Sequence, residues 1–399
     1  MIRTVVTRSS IFPLAILCFI LINFADGRRL HSTDIGKRKG TIKTIESDDG
    51  DVIDCVDIYK QPAFDHPLLK NHTIESSSLK INNQVKGEKD YALKELQGWL
   101  KFGECPEGTV PIVRTPTKFA KYGPKKTHLK SRYYSKLIQP YNQRNASPSD
   151  DGHEYAEVSI FGGPYFGAKA NINLWSPDPH GTMSISQIWV ASSSDNYDEL
   201  NTIEAGWVIG TGDPRTRFFI YWTSDGYRST GCKNFDCPGF VQVSRMVAIG
   251  SVLEPISNYD GKQIFINVTI DQHKESGEWW LTFQNEAIGY WPNPIFTRLG
   301  NGANSLCWGG EIVNDEPNGH HSETQMGSGH FPDEGYTKSS CFTNVMYKDD
   351  SQTFKDADNL TTYVTKPLCY DIKVVNDNTA GQGTHFFYGG PGYSDQCPN

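Results

Sequence analysis

A succession of short strand-like segments fills the chain from residue 153 onward and constrains its fold more than any other feature. Each segment alternates apolar and polar residues or forms a short apolar run, and turn signals such as Ser-Asp-Gly and Asp-Gly-Lys separate them. Examples are KANINLW, TIEAGWVIG, RFFIYWTSDG, WWLTFQNEAIGYW and LCWGGEIVN. Because no amphipathic pattern of helical length interrupts the series, the sequence predicts an all-β domain, an antiparallel β-sandwich of jelly-roll type.

The first 27 residues have the parts of a secretory signal peptide. Arg3 and Arg8 precede an apolar run from Ile11 to Phe24, and small residues stand before a cut after Gly27. The run is too short to span a bilayer, and no later segment is apolar for long enough to do so. We therefore expect a secreted, extracellular protein that has no membrane contact after signal removal, with a vacuole as the alternative destination.

Cysteine usage fits an oxidising compartment. One of the nine cysteines, Cys18, falls in the signal peptide, which leaves an even number for disulfides. The remaining cysteines are Cys55, Cys105, Cys232, Cys237, Cys307, Cys341, Cys369 and Cys397. Spacing favours Cys232 with Cys237 and Cys369 with Cys397, and elimination leaves Cys55 with Cys105 and Cys307 with Cys341, although spacing alone fixes no connectivity. Zinc is a poor alternative because the spacings form no pair of C-x-x-C knuckles.

Four N-x-S/T sequons also fit a secretory route. They begin at Asn71, Asn145, Asn267 and Asn359, and each is a candidate for glycosylation.

Charge divides the chain into domains. The segment Gly108–Ser149 has nine basic residues and no acidic one, whereas residues 150–399 have 31 acidic against 14 basic residues, a formal charge of −17. A basic run can bind nucleic acid, but in a secreted chain a protease-sensitive linker is the better interpretation, and no nucleic-acid partner is expected. We predict a small mixed N-terminal domain over residues 28–150, with a short helix at Glu88–Phe102, and the β-sandwich over residues 151–399.

Several familiar catalytic motifs are absent. The chain has no G-x-S-x-G elbow and no D-T-G or D-S-G motif, and HEYAE at His153–Glu157 lacks the second histidine of a zincin. His320, His321 and His330 fall in a polar loop and are interpreted as exposed residues, not metal ligands. A cysteine nucleophile is disfavoured when every mature cysteine has a potential partner. We expect neither a metal nor a cofactor.

Two glutamates interrupt otherwise apolar strands. Glu204 shares its strand face with Gly206, and Glu311 shares its face with Gly309. A glycine two residues away would clear space for a substrate backbone beside each carboxylate. The plainer interpretation, that both glutamates face solvent, is favoured by the alternation alone.

The sequence that flanks Glu204 and Glu311 instead favours a functional role for both glutamates. TIEAGW, YWTSDGY, GEWWLTF, IGYWP, WGGEI, TQMGSGHFPDEG and FYGGPG together resemble the neprosin-type domain of plant secreted proteins. CVDIYKQPAFDHPLLKNH and FGECPEGTVPI resemble that family's activation peptide, and the resemblance covers most of the chain after about residue 50. It implies a glutamic endopeptidase that cuts proline-containing substrates, is made as a precursor and uses Glu204 and Glu311 as its catalytic pair.

Two carboxyls on one cleft can hydrolyse a peptide without a metal or a covalent intermediate. Repulsion and burial separate their pKa values, so one activates water while the other donates a proton, which implies activity below about pH 5. Candidate oxyanion groups are Gln187, Tyr221 and Gln325, and candidate stacking surfaces for proline are Trp207, Trp222 and Trp308. Each is more often structural than functional.

Two further expectations concern latency and an alternative function. Gln61–Leu69 (QPAFDHPLL) is predicted to be extended by its prolines and to lie across the cleft as part of an intramolecular inhibitor. The basic linker would be attracted to the acidic catalytic part near pH 7 and released in acid. The alternative is a catalytically silent module that binds extracellular glycans or proteins.

Overall fold

The computed structural model of the chain describes residues 36–74, 93–114, 152–180, 182–194, 199–210, 213–314, 321–375 and 381–397, apart from the side chain of Cys232. These residues from Lys37 onward belong to one unit. The expected signal peptide and most of the basic linker lie outside the described residues. Within the described ranges, no helix is long and apolar enough to cross a membrane.

One antiparallel sheet of seven strands carries both glutamates. Strands are numbered β1–β19 in chain order. In spatial order this sheet contains β17 (Thr361–Val364), β4 (His153–Tyr165), β14 (Ala303–Val313), β6 (Met183–Ser192), β7 (Asn201–Gly210), β8 (Asp213–Thr223) and β9 (Cys232–Lys233). The central pair β14 and β6 therefore joins segments that are more than a hundred residues apart in the chain.

A second antiparallel sheet of nine strands packs on the first. In spatial order it contains β10 (Val241–Gln242), β13 (Glu286–Trp291), β12 (Trp279–Phe283), β11 (Phe265–Gln272), β5 (Gly167–Asn173), β15 (Ser340–Lys348), β19 (His385–Gly389) and β18 (Asp371–Val375), and β16 (Phe354–Asp356) pairs with β15. The predicted all-β sandwich is confirmed.

Period-two alternation decides which face of each strand is buried between the sheets. On β14, Leu306 and Trp308 point into the main core, and on β7 Ile203 and Trp207 do the same. The intervening residues, which include both glutamates, face away from this core. The apolar inner faces thus fix the orientation of each strand, because a one-residue slip would reverse every side chain.

The N-terminal part has its own small sheet and several short 3₁₀ turns. Its strands are β1 (Thr41–Glu46), β2 (Val52–Asp57) and β3 (Thr109–Val113), and its 3₁₀ turns are Ile58–Lys60, Pro62–Asp65, Pro67–Leu69 and Gly98–Phe102. Residues 93–96 are α-helical. The helix expected at Glu88–Phe102 is therefore found only as this short α-helical stretch followed by a 3₁₀ turn, and its first residues lie outside the described ranges.

This N-terminal part is inserted into the sandwich core. Nine of its apolar residues belong to the main core cluster: Val56, Ile58, Ala63, Leu69, Ile74, Leu93, Leu96, Val110 and Ile112. The Gln61 side chain donates to the Gln242 carbonyl (3.0 Å) and accepts from the Gln242 N–H (2.7 Å), as a neighbouring strand would. It therefore covers the open edge of the nine-stranded sheet at β10.

Two of the expected disulfides are present. Cys55 is bonded to Cys105 within the N-terminal part, and Cys369 is bonded to Cys397 near the C-terminus. Cys237 is disulfide-bonded. Its expected partner, Cys232, has a side chain outside the described part of the structure.

The expected disulfide between Cys307 and Cys341 is wrong. Both residues are buried thiols. Cys307 alternates with the core residues Leu306 and Trp308 on β14, and Cys341 alternates with the core residue Phe342 on β15. Each sulfur therefore points away from the shared core, on opposite sides of the sandwich, and elimination by count could not reveal this.

The sequons occupy different surroundings. Asn71 and Asn359 are exposed. Asn267 lies on β11, where its amide nitrogen donates to Asn171 Oδ1 (2.8 Å), so a glycan there would have to replace this bond. Asn145 lies outside the described residues, and glycosylation at all four sites stays a prediction.

The cysteine assignment can be checked on the intact protein. Alkylation of the unreduced, denatured chain followed by peptide mapping should label Cys307 and Cys341, because their opposite orientations prevent a mutual bond. Peptides that contain Cys55, Cys105, Cys369 or Cys397 should stay unlabelled until a reductant is added. A disulfide-linked Cys307–Cys341 peptide would contradict the structure.

Candidate active site

Strand β6 brings the two glutamates onto one face of the seven-stranded sheet. Glu204 on β7 is opposite Trp189, and Glu311 on β14 is opposite Ile185. Directly opposed residues share a face, so both carboxyls lie on the outer face of the sheet. Gln187 occupies the position midway between Trp189 and Ile185 on β6, and therefore lies between the glutamates.

Glu204 is enclosed by hydroxyl donors. It is only 7% exposed. Tyr227 donates to Oε1 from 2.6 Å, and Thr202 donates to the same oxygen from 2.8 Å. The pKa of Glu204 is raised to about 7, chiefly by burial and also by the charge of Glu311, against the opposing effect of the Tyr227 hydroxyl. This carboxyl therefore keeps a proton at acid pH.

Glu311 has a more polar environment. It is 6% exposed. His153 Nδ1 lies 2.6 Å from Oε1, and Gln187 Nε2 donates to Oε2 from 2.9 Å. A protonated imidazole and an amide donor both favour a negative charge on the carboxylate they contact. The two glutamates thus share a surface but have opposite kinds of partner.

Glycines flank Gln187 on both neighbouring strands. Gly206 and Gly309 are its register partners. A Cβ at Gly206 would overlap the carbonyl oxygen of Ser186, and a Cβ at Gly309 would overlap that of Ala156. The sequence-based interpretation, that these glycines clear space for substrate, therefore gives only part of their role, because close approach of the adjacent backbone already requires them.

The Gln187 amide has one oxygen that no described residue satisfies. Gln187 is 1% exposed, and Oε1 is buried without a hydrogen-bond donor among the described residues. Because an ionised Glu311 can only accept, Nε2 must face Glu311, and Oε1 must point elsewhere. A buried acceptor without a donor is costly, which makes it a position for a water molecule or a substrate N–H.

The three candidate stacking tryptophans do not belong to this face. Trp207, Trp222 and Trp308 are all at most 1% exposed and lie in the main core. The prediction that they stack a substrate proline is wrong, because strand alternation turns them to the opposite side of the sheet from Glu204 and Glu311. Tyr221 does lie on the outer face, directly opposite Glu204 on β8.

The remaining candidates lie in loops. Gln325 Oε1 accepts from the backbone N–H of Asp178 (2.9 Å), so its amide has a local structural contact. His330 Nδ1 lies 2.9 Å from Glu334. His321 is not an exposed loop histidine as expected, because it is buried and Nε2 lies 2.7 Å from Glu154 Oε2. His320 lies outside the described residues.

One group among the described residues has the spacing of metal ligands. It consists of His321, Cys369 and Cys397. Its two sulfurs are bonded to each other, so they are not thiolates that could bind a metal. His321 instead contacts the carboxylate of Glu154 and the Ser322 carbonyl oxygen.

Sequence reasoning missed His153, Thr202 and Tyr227. Thr202 lies two residues before Glu204 on the same strand face, so the alternation could have indicated it. His153 reaches Glu311 from the start of β4, and Tyr227 reaches Glu204 from the loop after β8. The separation in sequence between His153 and Glu311, and that between Tyr227 and Glu204, fit no strand or helix periodicity, so the sequence could not indicate these contacts.

The segment Gln61–Leu69 does not have the expected extended form. It contains two 3₁₀ turns, each beginning at a proline, because proline fixes φ at a value that suits a helical start. Ala63 and Leu69 are in the main core, and the His66 ring lies 6.2 Å from the core residue Trp222. The prediction that this segment lies across the glutamates is therefore wrong: it fills the side of the sandwich.

Fold and site together define an all-β protein with two packed antiparallel sheets and a buried pair of glutamates on the outer face of one of them. A family model described as Neprosin matches residues 180–391, and one described as Neprosin activation peptide matches residues 44–159. Since the first match alone covers more than half of the chain, the chain belongs to the neprosin family. The resemblance noted in the sequence is confirmed, and the two matches together support a peptidase precursor.

Solved structures to which the chain has a weak similarity include two described as peptidases and one described as an agglutinin. Scytalido-glutamic peptidase with a transition-state analogue is 9% identical over 59% of this chain and 97% of that chain, with a TM-score of 0.32. SCP-B, a member of the Eqolisin family of peptidases in a complex with Ala-Ile-His, is 8% identical over 59% and 96%, with a TM-score of 0.29. CG-16, a homodimeric agglutinin from chicken liver, is 9% identical over 39% and 92%, with a TM-score of 0.23. Likenesses this weak say nothing about chemistry.

The environment of Glu204 predicts a pH-dependent stability difference. In the folded state Glu204 keeps its proton up to about pH 7, whereas in the unfolded chain it ionises near 4.5. Its contribution to stability is therefore complete below about pH 4.5 and is lost as pH rises through about 7. Glu204→Gln cannot titrate, so its free energy of unfolding relative to wild type should increase over this range, by roughly 3 kcal/mol at most.

Urea unfolding of both proteins from pH 4 to pH 8 measures this difference. Glu323→Gln is the matched control, because Glu323 is exposed and its replacement should give no comparable trend. A Glu204→Gln curve parallel to that of wild type would show that Glu204 ionises normally in the folded protein.

Proposed function

We propose that this chain is the secreted precursor of an acid-active glutamic endopeptidase that cleaves proline-containing peptides. The observation that carries the proposal is the pair of buried glutamates on one sheet face, one with hydroxyl donors and a raised pKa, the other beside a histidine and an amide. Two carboxyls in unlike environments are the arrangement that general acid–base hydrolysis requires. The preference for proline follows from family membership alone.

Glu204 is the group we assign as proton donor. With a pKa near 7 it is protonated in the acid range, and its proton can pass to the scissile carbonyl or to the leaving amine. Tyr227 and Thr202 both donate to Oε1, so the proton of Glu204 is expected on Oε2. These two hydroxyls thereby position the acid.

Glu311 is the group we assign as base. His153 Nδ1 lies 2.6 Å from Glu311 Oε1, and an imidazole N–H that donates to this oxygen stabilises the carboxylate that serves as base. A water molecule held by Gln187 Oε1 would lie between the two glutamates, where Glu311 can take its proton. The Gln187 amide would thus orient both the base and the nucleophile.

Latency is the second part of the proposal. Glu204 and Glu311 are nearly buried in the structure, which contains the activation peptide, so a substrate requires a rearrangement. We propose that cleavage in the linker between residues 114 and 152, by the enzyme itself or another protease, begins activation. Attraction between the basic linker and the acidic catalytic part stays a prediction, because most of the linker lies outside the described residues.

Substitution of either glutamate tests the mechanism. Glu204→Gln and Glu311→Gln keep the size of the side chain but can neither store nor transfer the proton. We expect each to lower kcat on the order of a thousandfold or more on a proline-containing peptide, with cleavage followed by mass spectrometry. Glu323→Gln, on the exposed surface, should keep wild-type activity. A glutamate variant with near-wild-type turnover would remove that residue from the mechanism.

Acidification of the purified precursor tests latency and pH dependence together. A shift from pH 7 to pH 4 should produce linker cleavage, seen by gel and N-terminal sequencing, before peptidase activity develops. Activity of the processed protein should fall as pH rises through about 7, since Glu204 then loses its proton. Full activity of the uncut chain, or inhibition by a chelator, would exclude this scheme.

A further inference from the structure

An acidic turn of the activation peptide is bound to two arginines of the glutamate-bearing sheet. The turn joins β1 to β2 and contains Asp48, Asp49 and Asp51. Arg217 on β8 donates from Nη1 and Nη2 to the two oxygens of Asp51, both at 2.8 Å. Arg215 donates to the backbone carbonyl of Asp49. The contact between Arg217 and Asp51 has the bidentate geometry in which an arginine selects a carboxylate.

The turn adds a carboxylate to a cluster of charged residues in which the sandwich itself has one cation in excess. The sandwich contributes three cations, Arg215, Arg217 and Lys233, and two anions, Asp213 and Asp236, whose charges act on these cations. Asp51 is the third anion. Departure of the activation peptide would therefore leave three cations with two anions, and Arg217, whose side chain is 15% exposed, would lose the carboxylate of Asp51. An uncompensated charge in such a site strongly favours binding of an anion.

Lys233 shows that the cations of this cluster lie close enough to repel each other. It lies on β9 opposite Tyr221, on the same sheet face as Glu204. The pKa of Lys233 is lowered to about 8, chiefly by burial and also by the positive charge of Arg217, with Asp236 and Asp213 opposing. Any carboxylate that enters beside Arg217 therefore relieves repulsion between two cations.

The cluster lies within reach of a peptide bound at the glutamates. Arg217 on β8 is directly opposite Val208 on β7, and Val208 is opposite Ile185 on β6. Ile185 is in turn opposite Glu311 on β14, so Arg217 lies on the same sheet face as Glu311. Arg217 is two strands and two residues away from Gln187, which corresponds to about 12 Å at standard strand spacing and rise. An extended peptide covers this distance with three to four residues.

We propose that Arg215, Arg217 and Lys233 form a substrate subsite for a peptide carboxylate, which Asp51 of the activation peptide occupies in the precursor. The inference rests on the proposed peptidase function, because the bound carboxylate belongs to a substrate only if the protein cleaves peptides. Binding of a carboxylate itself does not require that function. An acidic side chain three to four residues from the scissile bond is the expected occupant, and a C-terminal carboxylate has the same chemistry.

Peptide binding to the processed protein tests the subsite. All proteins in this test carry Asp51→Asn, which removes the native carboxylate from Arg217. The precursor is cut in the linker by acid or, if it stays uncut, by trypsin, and is used without separating the fragments. The probe is the fluorescent, end-blocked octapeptide Glu46–Ile53 (ESDDGDVI), which lacks proline. Its control has asparagine in place of the three aspartates, and a third peptide has asparagines and an unblocked C-terminus, which separates side-chain from terminal carboxylates.

Anisotropy titrations should show the aspartate peptide binding about tenfold or more tighter than the asparagine peptide, with the difference reduced in 0.5 M salt. Arg217→Gln and Lys233→Met should each remove most of the difference, and Lys233→Met serves if Arg217→Gln fails to fold. Lys274→Met is the matched control, because Lys274 is exposed and outside the cluster. Equal affinities of the Asp51→Asn protein for the aspartate and asparagine peptides, or a difference unchanged by Lys233→Met, would overturn the proposal.

Cleavage of a proline-containing peptide is measured in parallel. Selective binding without cleavage would contradict the peptidase function and leave the subsite in place. Cleavage without selective binding would support the peptidase function and contradict the subsite. With both present, kcat/KM should be higher for a substrate with glutamate than for one with glutamine at one position three to four residues from proline.

Discussion

The close approach of strands β14, β6 and β7 is the constraint on which the site depends. Backbone ladders hold the three strands in register, and Gly206 and Gly309 allow the neighbouring carbonyl groups to come nearer than a side chain would permit. Because no side chain projects from either glycine, Gln187 stands alone between Glu204 and Glu311. The geometry of the carboxyl pair is thus a property of the sheet, not of a mobile loop, which favours a rigid, preorganised site.

Unlike surroundings then separate two chemically identical residues. Glu204 has hydroxyl partners and a position in which burial disfavours charge, whereas Glu311 has a histidine and an amide nitrogen beside it. The proton of the pair is therefore expected on Glu204 over the acid range. The residues that produce this difference come from β4, β6, β7 and the loop after β8, so the asymmetry depends on the whole sheet.

The activation peptide contributes to the fold as well as to latency. Its apolar residues complete the main core, Gln61 covers a sheet edge, and Asp51 neutralises an arginine on the glutamate-bearing sheet. None of these contacts uses the glutamates directly. The described part of the activation peptide therefore stabilises the sandwich from its side.

The sequence by itself determined the all-β class, the family and the two strand-borne glutamates, because alternation, turn residues and motifs are local properties of the chain. It did not determine the disulfides, since the elimination that paired Cys55 with Cys105 failed for Cys307 and Cys341. Thr202 could also have been inferred from its spacing from Glu204, but it was missed. Only the tertiary structure decided that Trp207, Trp222 and Trp308 lie in the core, that Cys307 and Cys341 point apart, and that Gln61–Leu69 packs beside the core. It likewise brought His153, Gln187 and Tyr227 to the carboxyls. Those relationships depend on strand register and on which sheet face is buried, and both are set by packing between segments that are far apart in the chain.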